Sequence, residues 1–176
     1  MSLGGRAGRM VAVEASVARS LPAFMLVGLP DASLCEARDR VRAAVGSAGL
    51  GWPQRRVTVN LSPASLPKSG SGFDLAIAVA TLAAAGLVDP MAGEGVVPLG
   101  ELGLDGRLRP VRGILPAVVA EVAAGFARVV VPIDNLREDE TVTVGAGTRR
   151  GWPAPGAFRA GSATGEQGAQ RAGPRE

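Results

Sequence analysis

Lysine occurs once in this sequence, at position 68, and it opens the string Lys68-Ser69-Gly70-Ser71-Gly72. A lysine stripped of water can take the proton of a nearby hydroxyl, so Lys68 with Ser71, or with Ser69, has the residue types of a Ser/Lys hydrolase. The loop around it reads as exposed, however, and nothing in it supplies the burial that lowers a lysine's pKa. The same loop leads into a helical run, whose first N–H groups can cradle a phosphate. A Walker A loop needs Gly-x-x-x-x-Gly-Lys-Ser/Thr, and here the lysine precedes the glycines. The favoured reading is structural: glycine for a tight entry into a buried helix. A second cluster is basic: Arg107, Arg109 and Arg112, with Arg55 and Arg56 as further members. Arg107 and Arg109 share a face of a strand with a period of two, where they could meet phosphate, a neighbouring subunit or water. A solvated face is the default. Asp31 as a helix cap and Asp74 as a dipole partner also read as structural, and Trp52 and Trp152 show no stacking partner.

The element that must position the Lys68 loop is the run from Leu75 to Ala85, which carries no charge and one hydroxyl. Such a run is apolar on every side and belongs in the middle of a domain. Alanine favours a helix and lets neighbours approach closely. Asp74 suits the positive end of that helix, and Gly86 is placed to end it. Upstream, Val11, Val13, Ala15 and Val17 alternate as a half-buried strand over 11–18, and Leu21-Pro22 turns the chain into a second strand over 24–28, a hairpin. Ser33 and Glu36 have capping-box spacing at the start of an amphipathic helix that ends near Gly49 to Gly51. Val57 to Leu61 is a strand. Val96 to Leu102 is another, and Asp105-Gly106 turns it back onto Leu108 to Val111. Ile114 to Ala124 is a third helix with Pro116 in its first turn. Arg128 to Pro132 and Thr141 to Val144 are the last strands expected. The mixed order predicts an α/β or α+β layer with helices packed on a mixed sheet.

The chain has 176 residues, 47% of them hydrophobic, enough for one good core. Residues 1–10 and 148–176 lack a hydrophobic period and read as disordered, leaving one domain over 11–147. Residues 1–147 hold equal numbers of basic and acidic side chains, so the net +3 belongs to the tail. General affinity for nucleic acid therefore does not follow from the core's charge. Aromatics are 3%, which argues against base-stacking surfaces. There is no histidine and one cysteine, Cys35, excluding an internal disulfide and any histidine-dependent triad or metal site. No signal-like or membrane-spanning stretch stands out, so the expected location is cytoplasmic, with no membrane partner.

Several strings together resemble one family. They are Leu21-Pro22-Ala23-Phe24 through Val27-Gly28-Leu29-Pro30-Asp31, Glu36-Ala37-Arg38-Asp39-Arg40-Val41-Arg42-Ala43-Ala44, Arg56-Val57-Thr58-Val59-Asn60-Leu61-Ser62-Pro63-Ala64, Gly70-Ser71-Gly72-Phe73-Asp74-Leu75, and Gly100-Glu101-Leu102 to Arg112-Gly113. In unbroken order over about residues 11–147, they are similar to the amino-terminal domain of ComM/YifB-type magnesium-chelatase-like proteins. The resemblance implies a fold like ribosomal protein S5 domain 2 and the Lon proteolytic domain. The Lon serine slot then falls on Gly72 and the lysine slot on Leu115, so both members of the peptidase dyad are lost. It also implies a non-catalytic accessory domain. Relatives continue into an AAA+ module that binds ATP and magnesium, assemble by self-association, and are linked to DNA branch migration in natural transformation. Neither cofactor is expected in this chain, which resembles the product of a truncated or frame-shifted gene.

Overall fold

The computed structural model describes residues 10–90, 95–126, 128–137 and 150–151. Strands β1 (Ala12–Ala18), β2 (Ala23–Val27) and β3 (Arg56–Ser62) form a sheet in the order β1-β3-β2. β3 is antiparallel to β1, with Ala12 opposite Ser62, and parallel to β2, with Ala23 opposite Arg56. The expected hairpin between the first two strands is thus replaced by an insertion. β3 lies between them, because its Val57, Val59 and Leu61 are fully buried and fill the central position that neither flanking strand can supply. The alternation of residues is kept: Val13, Ala15, Val17, Phe24 and Leu26 face the core, while Glu14, Ser16 and Met25 are exposed.

Helix α1 (Ala32–Cys35) is one turn long and α2 (Ala37–Ser47) follows it across Glu36. The capping residue is Asp31, whose Oδ1 accepts from the Leu34 amide at 2.7 Å; the expected Ser33/Glu36 box does not form. Asp31 wins because its shorter reach to the third amide is already set by its extended backbone. Helix α3 (Asp74–Ala84) lies against β1 and α2. Asp74, Leu75, Ile77, Ala78, Thr81 and Leu82 are buried on one stripe, whereas Ala76, Val79, Ala80 and Ala83 are only half-buried and Ala84 is exposed. The expectation of a helix enclosed on every side is therefore corrected. The other side needs no full cover because its alanines present little apolar area.

The run 96–102 divides into β4 (Val96–Pro98) and β5 (Glu101–Leu102), which belong to different sheets. The break sits at Gly100, where φ is 156° and the amide is turned away to donate to Gly72 O at 2.9 Å. β5 pairs antiparallel with β6 (Leu108–Arg109) around the anticipated Asp105-Gly106 turn. Helix α4 (Ile114–Ala123) then leads to β7 (Arg128–Val131), parallel to β4. A two-residue strand, β8 (Arg150–Gly151), adds to the far side of β7, beyond the boundary expected at residue 147. The anticipated strand at 141–144, residues 1–9 and the remainder of the tail lie outside the described residues.

Two apolar clusters result. The larger joins α2, α3 and the inward face of the first sheet through Val41, Val45, Val57, Val59, Ile77 and Leu82. The smaller joins α4 to β7 through Ile114, Val118, Val129 and Val131. The architecture is mixed α/β, with helices against small sheets.

Candidate functional site

Lys68 is buried, not exposed, with 2% of its surface accessible. Its Nζ donates to Gly28 O at 2.8 Å and to Pro63 O. Its backbone is equally committed: the amide donates to Leu29 O at 3.2 Å and the carbonyl accepts from the Asp31 amide at 3.0 Å. The loop therefore folds back across the turn after β2, and the ammonium joins that turn, through Gly28 O, to the stretch after β3, through Pro63 O, which also accepts from the Leu66 amide at 3.2 Å. That turn requires glycine. Gly28 has φ of 104°, and a Cβ there would sit 2.1 Å from Leu61 O. The lysine's burial left no mark in the local sequence because both acceptors are backbone atoms, five and forty residues away.

Ser71 takes a different partner. Its hydroxyl donates to the Glu101 carboxylate, thirty residues on. Gly70, at φ of 86°, precedes a single 3-10 turn over Ser71–Phe73 that runs into α3. At the start of that helix the Leu75 amide donates to Gly100 O at 3.1 Å, so a donor a phosphate would use is occupied from within. Neither the Ser/Lys pairing nor the phosphate cradle is assembled: lysine, serine and helix-start amide each bind another part of the fold. Ser69 is exposed.

Sequence reasoning missed the ion pair beneath this loop. Arg40 of α2 grips the fully buried Asp74 with both ends of its fork, Nε to Oδ2 at 2.7 Å and a terminal nitrogen to Oδ1 at 3.0 Å. The Leu102 amide adds a bond to Oδ2 at 3.2 Å. Burial pushes the Asp74 carboxyl up from its ordinary range, and the Arg40 guanidinium and Leu102 amide offset part of that push. Asp74 is thus a link between α2, α3 and β5, beyond its expected role at the helix dipole. The one available signal was a lone carboxylate at the head of an otherwise uncharged run.

The arginines expected to cluster fall into two groups. Arg107, Arg109 and Arg112 are exposed in and after the hairpin. Asp105 lies between the first two: Arg109 reaches its Oδ2 at 3.0 Å and Arg107 Nε stands 3.9 Å away. The turn itself is anchored to α2, where Ser47 Oγ donates to Leu104 O at 2.8 Å. Arg55 and Arg56 are also exposed, but at the start of β3, and Arg55 lines a separate groove with Arg38 and Arg42 of α2. Trp52, expected to be isolated, packs beside Phe24 with ring centroids 5.9 Å apart. Among the described residues no cluster of three metal-binding side chains occurs, and no helix is long and apolar enough to cross a membrane.

Comparison with known proteins identifies the family. Residues 13–135, from the first strand through the turn after β7, match the family model described as subunit ChlI of Mg-chelatase. The chain belongs to this magnesium-chelatase ChlI family. Among its family relatives, an uncharacterized protein of Mycobacterium tuberculosis is 51% identical over 142 residues, covering 81% of this chain and 28% of that protein. The competence protein ComM of Haemophilus influenzae is 44% identical over 111 residues, 63% of this chain and 22% of ComM. YifB of Escherichia coli is 39% identical over 130 residues, 74% of this chain and 25% of YifB. The ComM/YifB resemblance read from the motifs is therefore shown. The chain spans about a quarter of the length of these curated relatives.

Proposed function

We propose that this chain acts as a non-catalytic accessory domain of a ComM/YifB-type magnesium-chelatase-like AAA+ protein, with a fold of the ribosomal protein S5 domain 2 and Lon proteolytic kind, and that it guides DNA for that motor. The observation that carries the reading is the fate of the two candidate catalytic side chains. Lys68 Nζ is held by two backbone carbonyls and Ser71 Oγ by Glu101, so neither is available to the other. A serine nucleophile needs its base within hydrogen-bond reach. The name of the Haemophilus relative, a competence protein, supports the link to DNA. ATP and magnesium then belong to the AAA+ module of relatives and not to these residues, and the setting is cytoplasmic.

In this reading the hairpin that carries Arg107 and Arg109, with Arg112 after it, binds the DNA backbone. Fluorescence anisotropy with a labelled duplex tests it. Binding is expected to weaken steeply with salt, and replacing Arg107, Arg109 and Arg112 by Ala lowers the slope of log K against log salt by about 0.9 for each phosphate no longer neutralised. Absence of binding at low salt removes the DNA role. Labelling by a fluorophosphonate serine probe that disappears in Ser71→Ala overturns the non-catalytic assignment.

A further inference from the structure

A groove between the start of β2, the first half of α2 and the loop before β3 has a volume of about 250 Å³. Its lining includes Arg38, Arg42 and Arg55 together with the rings of Phe24 and Trp52. Three cations meet one carboxylate there, Asp39, which Arg38 engages at 3.0 Å. The Arg38 guanidinium holds the Asp39 carboxyl below its ordinary range, so that pair is internally neutral and Arg42 and Arg55 supply the groove's excess positive charge. Both are exposed, while Trp52 and Phe24 are half-buried and pack against the core, so the rings are the deeper-set part of the lining and the charges the more accessible part.

This combination selects among ligands. Arginine forks favour phosphate and carboxylate. An aromatic ring in the lining of a cationic groove accepts any nucleobase, because every base offers a π-face, and stacking contributes about 1–3 kcal/mol per base. A duplex keeps its bases stacked inside and cannot bring one to the ring. An acidic peptide would satisfy the arginines but makes no special use of the ring. We propose that this groove binds single-stranded nucleic acid, with phosphates on Arg42 and Arg55 and a base against Trp52. The site is independent of the hairpin arginines, and it stands or falls separately from the function proposed for them.

Trp52 supplies its own readout. The full chain with Trp152→Phe has Trp52 as its single indole, and its fluorescence is followed during titration with a twelve-residue oligo-dT at low salt. A saturable quench is expected. The added pair Arg42→Ala and Arg55→Ala weakens it at least tenfold and lowers the salt slope by about 0.7 for each phosphate released, with circular dichroism unchanged because both side chains are exposed. Arg107→Ala with Arg109→Ala leaves the quench as it was. No quench at low salt, a quench indifferent to the Arg42 and Arg55 changes, or a response to an oligo-glutamate peptide in place of oligo-dT overturns the proposal.

Discussion

The two apolar clusters differ in how they treat charge. The larger, between the first sheet and helices α2 and α3, encloses β3 on both edges and has the inward residues of that strand, Val57, Val59 and Leu61, at zero exposure. It borders two buried charged groups, Lys68 and Asp74, and each has several hydrogen-bond partners. The smaller, between α4 and β7, rests on four buried side chains. Its helix buries Glu121 to 6% exposure with one carboxylate oxygen unpartnered among the described residues. A buried charge is tolerable in proportion to the partners assembled around it, and only the first region has built them.

The largest test of that contrast removes a partner from the first region. Asp74→Ala removes the acceptor that Arg40 and the Leu102 amide share, leaving Arg40 with only Ser33 O and the exposed Glu36, and should cost about 3–5 kcal/mol, read by urea denaturation. A loss below about 1 kcal/mol would place the pair among ordinary surface bridges. Gly28→Ala should cost a similar amount, because a methyl cannot stand 2.1 Å from Leu61 O; if its denaturation midpoint matches wild type, the turn is not as close as described. Like-for-like truncation compares the clusters themselves. Val59→Ala should cost about 2.5 kcal/mol and Val118→Ala about 1.5, since a site enclosed on all sides collapses less around its cavity. Equal losses would erase the distinction.

The smallest effect has the opposite sign. Burial raises the Glu121 carboxyl above its ordinary range, so the folded state favours the protonated form. Its ionisation therefore opposes folding as pH rises through the folded pKa, and below the unfolded value the penalty is absent. Glu121→Gln should raise the melting temperature at pH 7 by a few degrees and leave it unchanged near pH 3. A gain that persists at pH 3 would assign the effect to something other than charge.

What the sequence made legible was local. The start and end of α3, α4 with Pro116 in its first turn, the Asp105-Gly106 hairpin and β7 all follow from periodicity and turn residues, which act over a few positions. Strand order was not legible, because alternation tells which face of a strand is buried and not which strand lies beside it. The burial of Lys68 was hidden for the same reason: its acceptors are carbonyls whose direction depends on the turn at Gly28. Arg40 with Asp74 and Ser71 with Glu101 join residues thirty or more positions apart. β8 shows no apolar pattern, since two residues on an edge need none. The arginine groove takes shape only once α2 and the loop before β3 are both placed, so the sequence offers no sign that Arg55 shares a groove with Arg38 and Arg42.

The insertion of β3 between β1 and β2 also sets an order of events for a newborn chain. The first two strands are synthesised before the strand that both of them pair with, and about thirty residues separate the end of β2 from it. Until then their apolar sides stay open to foreign partners, so chaperone protection during synthesis is needed most before Ser62 emerges.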